Sequence, residues 1–308
     1  MKTTLLTKLP AKLPTKSLAK FSLGVGIASA LLLQACTNTS MAAAEEMPKQ
    51  VYSYDAEDKC YYTSACYSVV VGSSEINTAR LKPYHAIWSQ SNPDKDGAWV
   101  KSPATFEEIL KIGADGQWIH VQKSHMGGGM AQVQTRTLDK KTWQVLDMTI
   151  TYENGPSNAP QKVFYDLTGD NFTADITLSD GKHQTGKVRK KALAMFDGQI
   201  GGLTLAALPL SENYTATLPM IIPNLGIYWI EATVVGRKTI PTADGSSQDV
   251  WEVNANWFNL TDGDIYEPGR EGDGGVYYIA VNPGDGVPSV IEYANSGAVI
   301  SWDGVRRK

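Results

Sequence analysis

From Gln117 onward, hydrophobic and polar residues alternate with a period of two. Trp118–Lys123 and Met130–Leu138 alternate on either side of Ser124–Gly129, and Trp143–Tyr152, Gln161–Leu167 and Phe172–Leu178 continue the pattern. Residues i and i+2 share one face of a strand, so runs of this kind separated by Gly, Asn, Pro and Asp clusters predict an antiparallel meander with one buried face. The last third returns to the same pattern. Tyr214–Ile222, Gly226–Gly236, Gln248–Phe258, Val276–Val281, Ser289–Tyr293 and Ala298–Trp302 are predicted strands, with turns at Ala243–Ser247 and Asn282–Pro288. Tyr67–Gly72, a β-branched run ended by glycine, predicts one more strand near the start of the folded part.

Two stretches leave this rhythm. Ser102–Ile112 predicts a helix: Ser102 suits the N-cap, Pro103 the first helical position, and Glu107 and Glu108 the positive end. Phe106, Ile109 and Leu110 follow helical spacing before Gly113 ends the run. Ala192–Leu210 predicts a helical or irregular apolar plug carrying Leu193, Met195, Phe196, Ile200, Leu203 and Leu205. Gly198, Gly201 and Gly202 argue against one long helix there. The fold class that follows is mainly β, an antiparallel, strongly curved half-barrel or sandwich with one or two short helices. It occupies residues 51–308, and a subdivision near 180–210 stays open.

The N-terminal region changes the picture of where such a domain lives. Lys2, Lys8, Lys12, Lys16 and Lys20 precede the uncharged run Phe21–Leu33, whose 13 residues are too few to span a bilayer as a helix. Basic head, short apolar stretch and small residues describe a secretory signal. Leu33-Gln34-Ala35-Cys36 resembles the lipobox of bacterial lipoproteins. That resemblance implies cleavage after residue 35, lipidation of Cys36 with acyl chains such as palmitate, and a membrane partner reached through the lipid. Thr37, in place of the Asp that retains such proteins in the inner membrane, implies the outer membrane, facing either the periplasm or the surface. Residues 36–50 lack apolar periodicity and read as a flexible tether. Of the 28 basic residues five precede Cys36 and no acidic one does, leaving 23 basic against 32 acidic residues, formally −9. No basic stripe remains, which excludes nucleic acid as a partner class. With Cys36 lipidated, Cys60 and Cys66 are left, and an oxidising compartment makes their disulfide the default, contributing about 2 kcal/mol by the chain-entropy model.

Few residues offer chemistry. Asn92, Asp94 and Asp96, with Gly97 at the sixth position, match the opening half of a calcium loop. The twelfth position is Pro103 rather than a bidentate Glu, so an Asx-rich turn is the competing reading. Asp262 and Asp264 lie in an acidic, glycine-rich loop and are the other calcium candidates. His125 with Gly127–Gly129 looks like the oxyanion loop of lipases, but the chain has no Gly-x-Ser-x-Gly elbow, and a hairpin connection explains the glycines. A metal-dependent hydrolase is therefore the third reading. Aromatic residues concentrate in the last third, where Trp229, Trp251, Trp257 and Tyr278 either fill the core or line an apolar cavity.

Val234–Gly236, Ile240, the turn at Gly245 and the returning Val250–Val253, followed by Val276–Ile279 and Val287–Tyr293, resemble a hairpin of periplasmic and lipoprotein β domains. The family is domain of unknown function 3108, and more loosely the LolA/LolB-like group. The resemblance implies an incompletely closed antiparallel sheet around an apolar cavity plugged by helical pieces, and it carries no catalytic residues. The expected function is non-enzymatic: binding an apolar or amphipathic, lipid-like ligand, or assisting envelope assembly beside another envelope protein. The alternative is a β scaffold or interaction protein with a filled core.

Overall fold

The structure is a computed structural model of the chain. It describes residues 68–303 apart from 128, 155–159, 170, 191–195, 223–225, 243–244, 260–273 and 296, together with the backbone of three two-residue strands. Those strands, β1 (Tyr54–Asp55), β2 (Cys60–Tyr61) and β3 (Ala65–Cys66), form a small sheet. Residues 1–50, with Cys36, lie outside the described residues, as do Asp262 and Asp264.

The first meander runs β4 (Tyr84–Pro93), β5 (Trp99–Ile112), β6 (Trp118–Gly127), β7 (Met130–Leu138), β8 (Val145–Glu153), β9 (Pro160–Asp166), β10 (Asn171–Leu178) and β11 (His183–Lys190). The chain then passes through β12 (Phe196–Asp197) and the helix α1 (Gly201–Ala206). The second meander is β13 (Thr215–Ile222), β14 (Gly226–Pro241), β15 (Ser247–Asn259), β16 (Gly274–Ala280), β17 (Val290–Asn295) and β18 (Ala298–Trp302). β18 returns to β4, with Trp302 opposite Trp88 and Ile300 opposite Gln90. The two meanders thereby become one 15-stranded sheet that does not close, with β11 and β12 as its outermost strands. The pairings are antiparallel except β12 on β13, where Phe196 lies parallel to Met220.

One parity of most strands of the large sheet is buried. Tyr84, Ala86 and Trp88, then Phe106 and Leu110, then Leu138, Met148, Ile150, Val163 and Tyr165 face inward from the first meander. Leu218, Ile230, Val253, Ala255, Tyr277 and Ile279 do so from the second. All six residues of α1 are buried among them. The glycines here permit close approach: a Cβ on Gly201 would lie 3.2 Å from Trp257 Cζ2, and one on Gly202 would lie 3.0 Å from Val290 Cγ2 and 3.1 Å from Tyr277 Cδ1. The predicted plug is thus present as a two-residue strand, one 3-10 turn and one short helix.

Two predicted elements differ. Ser102–Ile112 is not a helix but the greater part of β5, paired with β4 on one side and β6 on the other. Phe106 and Leu110 satisfy a period of two as well as a helical one, and pairing on both sides outweighs local capping propensity. Pro103 is tolerated because the β4 register shifts between Ser89 and Ser91, and β6 pairs only from Thr105 onward. Tyr67–Gly72 is not a strand within its described part. Val69 donates a single backbone bond to Thr217 O, and Gly72 sits in a turn at φ +84°.

Candidate functional site

The inward parity of β5, β6 and β7 carries polar side chains where a meander usually buries apolar ones. Register places Glu108 opposite Gln122 and Gln122 opposite Gln134; on the next row Ser124 faces Gln132, and on the row before it His120 faces Arg136. His120, Arg136 and Gln132 are 0% exposed. The plug completes the cluster, because the segment entering α1 delivers Asp197 and Gln199 onto Arg136. Arg136 Nε donates to Asp197 Oδ2 at 2.6 Å, and both side chains are fully buried. Arg136 Nη2 donates to Gln134 Oε1 and Gln199 Oε1. Asp197 also caps the 3-10 turn by accepting from Gln199 N at 2.7 Å.

The chain of contacts continues outward. Arg136 Nη1 lies 3.4 Å from His120 Nδ1, and His120 Nε2 lies 2.7 Å from Glu108 Oε1. A guanidinium only donates, so His120 Nδ1 accepts and its proton sits on Nε2, donating to Glu108. Beside it, burial and then the Glu108 carboxylate hold the Tyr84 phenol well above its ordinary range. Burial does the same for Tyr277, and pushes Tyr293 up to about 12.

A cavity of about 70 Å³ opens between this polar surface and α1. Tyr84, Trp88 and Phe106 wall it from the first meander, and Tyr277 and Tyr293 from the second, with Glu108 and Gln199 among its polar groups. The Tyr277 and Tyr293 rings pack at 4.5 Å between centroids. A shallower hollow of about 340 Å³ lies against Asn254, Asn256 and Asn295, next to residues outside the described set.

Of the four aromatics expected to line a cavity, Trp251, Trp257 and Tyr278 do not line this one. Trp257 fills space against Gly201 and meets Tyr228 edge-on at 5.9 Å. Trp251 is half-buried against the core. Tyr278 is on the opposite face of β16 from Tyr277 and Ile279, with the Lys238 ammonium 5.1 Å from its ring. The side chain of Trp229 lies outside the described residues. Trp251, Trp257 and Tyr278 do not share one cavity: Gly201 of the helix packs onto the Trp257 ring, and Tyr278 lies on the other face of its strand.

Two of the calcium candidates in β4 and its turn, Asn92 and Asp94, have other partners. Asp94 Oδ1 accepts from Asp96 N at 2.8 Å and Ala98 N at 2.9 Å, which closes the β4–β5 hairpin, and Asn92 Oδ1 accepts from Gln90. Among the described residues no three His, Cys, Asp or Glu side chains gather as a metal would need. His125 and the following glycines form the β6–β7 hairpin, with Gly129 at φ +79°. Cys60 and Cys66 are register partners in the β2–β3 pair.

The polar cluster was not anticipated from the amino-acid pattern, although a signal existed. Counting by two from Trp118 or back from Leu138 puts His120, Ser124, Gln132, Gln134 and Arg136 on the buried parity.

The family described as "Protein of unknown function (DUF3108)" matches residues 112–292. Among solved structures, the crystal structure of a beta-barrel-like protein of domain of unknown function DUF1849 from Brucella abortus is similar at 11% identity and a TM-score of 0.42. That similarity covers 72% of this chain and 98% of that one. No curated protein matches.

Proposed function

The chain belongs to the DUF3108 family, and from that premise we propose that it is a non-enzymatic interaction protein of the bacterial cell envelope, a filled β scaffold held to the outer membrane by lipid on Cys36. The observation that carries this reading is the filled hollow of the sheet. A lipid-like ligand needs an enclosing pocket of roughly 300–1,000 Å³, whereas the void beside α1 is about 70 Å³ and the hollow of about 340 Å³ at Asn254, Asn256 and Asn295 is open at the surface. The plug helix, Leu203, Leu205 and the rings of Trp257 and Tyr277 occupy the space that such a ligand would take. The lipobox-like Leu33–Cys36 and the tether that follows support the anchor, and Thr37 supports the outer membrane. The Cys60–Cys66 register supports a disulfide, since directly opposed strand residues have Cα separations within the range disulfides use.

Native mass spectrometry of the protein released from its own membrane tests this reading. The expected species is the chain from Cys36 with its lipid and one disulfide, alone or with a protein partner. A stoichiometric acyl-chain passenger beyond the N-terminal lipid would overturn the filled scaffold. Cys36→Ser is expected to move the protein into the soluble fraction, and its persistence in the membrane would overturn the anchor.

A further inference from the structure

We propose that the cavity between the two meanders is a binding site for a small organic cation, an alkylammonium group, with Glu108 as its counter-charge. The first argument is charge. Arg136 and Asp197 neutralise one another at 2.6 Å. Glu108 accepts from His120 Nε2 at 2.7 Å, and no guanidinium or ammonium group comes with that bond. Among the described residues no other ion pair reaches Glu108. Glu108, 13% exposed, is therefore the carboxylate of the cluster with no Arg or Lys partner among the described residues, a setting in which a cation is attracted.

The second argument is the wall. Five aromatic rings, Tyr84, Trp88, Phe106, Tyr277 and Tyr293, surround the space beside Glu108, each no more than 5% exposed. Ring faces attract cations through their quadrupole, and desolvation strengthens the attraction. The third argument is unmet hydrogen bonding. Tyr277 Oη is buried with no partner at hydrogen-bond distance in the protein, and buried polar atoms are seldom left so. An alkylammonium N–H would donate to this oxygen. Size selects within the class. A volume of about 70 Å³ equals about two waters' share of the liquid, enough for a head group of a few heavy atoms and not for an acyl chain. The free amine and the ammonium head of an amphiphile share this chemistry.

The test uses the full-length chain in non-ionic detergent, titrated with methylammonium and with tetramethylammonium chloride against sodium chloride at equal ionic strength. Tryptophan fluorescence and the thermal midpoint are read together. A saturable one-site response to an ammonium salt and none to sodium is expected. Glu108→Gln is expected to weaken it at least about 10-fold, in line with loss of a buried charge pair. Phe106→Leu is expected to weaken it about 2- to 30-fold, the range of one cation–π face, whereas Tyr293→Phe retains the ring and most of the affinity. A second arm compares dodecyltrimethylammonium below its micelle concentration: tighter binding than tetramethylammonium points to an amphiphile head, equal binding to a free amine. The proposal is overturned if the wild-type chain gives no saturable ammonium response, or if Glu108→Gln binds as the wild type does.

Discussion

On the inner face of β5, β6 and β7, register lines up Glu108, Gln122 and Gln134 in one row and Ser124 with Gln132 in another. On the inner face of β14, β15 and β16 the corresponding rows read Val234, Val253, Tyr277 and Ala232, Ala255, Gly275. The backbone rule is the same in both meanders and the buried chemistry is opposite. The apolar rows stabilise in proportion to the area they remove from water and accept any plug of about the right shape. The polar rows gain nothing until partners complete them, because each buried donor or acceptor left open is costly. Asp197 and Gln199 are those partners. The first meander therefore specifies where the plug sits, while the second supplies most of the apolar area against which it packs. Of these rows only the polar ones carry a carboxylate, Glu108, and it borders the cavity between the meanders.

The contrast can be broken most strongly at Arg136. Arg136→Ala leaves Asp197 buried without a counter-charge and is expected to destabilise by about 3–5 kcal/mol in chemical denaturation. Arg136→Met combined with Asp197→Leu is expected to recover most of that loss, since a matched apolar pair replaces an ion pair at little net penalty. A single variant that unfolds as the wild type does would show that the polar rows do not hold the plug. The apolar side responds through volume. Leu218, 0% exposed in the row with Ile230 and Trp257, is expected to cost about 2–5 kcal/mol as Leu218→Ala, and addition of a distant core truncation should be additive.

Gly275→Ala tests close packing in the second meander. A Cβ there would lie 2.3 Å from Tyr293 Cε2, so the ring must move, at about 1–3 kcal/mol. Its effect on the cavity wall makes the thermal midpoint and ammonium response change together. The smallest effect is at alkaline pH. Tyr293 is pushed up to about 12 by burial, against about 10 in the unfolded chain. The unfolded state then loses the proton first, so stability is fully present below pH 10 and falls as pH rises towards about 12. Tyr84 and Tyr277 act in the same direction. Tyr293→Phe is expected to flatten part of this slope in pH-jump denaturation, and an unchanged slope would remove Tyr293 from the account.

Particular elements show how far local pattern reaches. Met130–Leu138 and Ala298–Trp302 are strands with the bounds that alternation predicts. The plug was legible because its apolar residues break the period of two and its glycines forbid a long helix. The family resemblance rests on the same final hairpin that β14 and β15 build. β5 was not legible. Ser102, Pro103, Glu107 and Glu108 are favourable helix-start residues, and only pairing with β4 and β6 overrides them. The candidate cavity was sought among Trp229, Trp251, Trp257 and Tyr278 because aromatic content was counted without parity. Tyr277 rather than Tyr278 faces inward, and its partners in the wall, Tyr84, Trp88 and Phe106, come from strands far away in the chain.

What the amino-acid order determined by itself is therefore local and periodic: most of the strands, their turns and the buried parity of most of them. These depend on backbone sterics and on residues two to four positions apart. Tertiary structure alone decided which strands adjoin and what their buried faces meet. Trp88 beside Trp302, Ser89 bonded to Asp303, and Arg136 matched by Asp197 each join distant parts of the chain. A buried charge is favourable only when its partner arrives from elsewhere, so no window of sequence can state whether Glu108 is compensated; the assembled fold does.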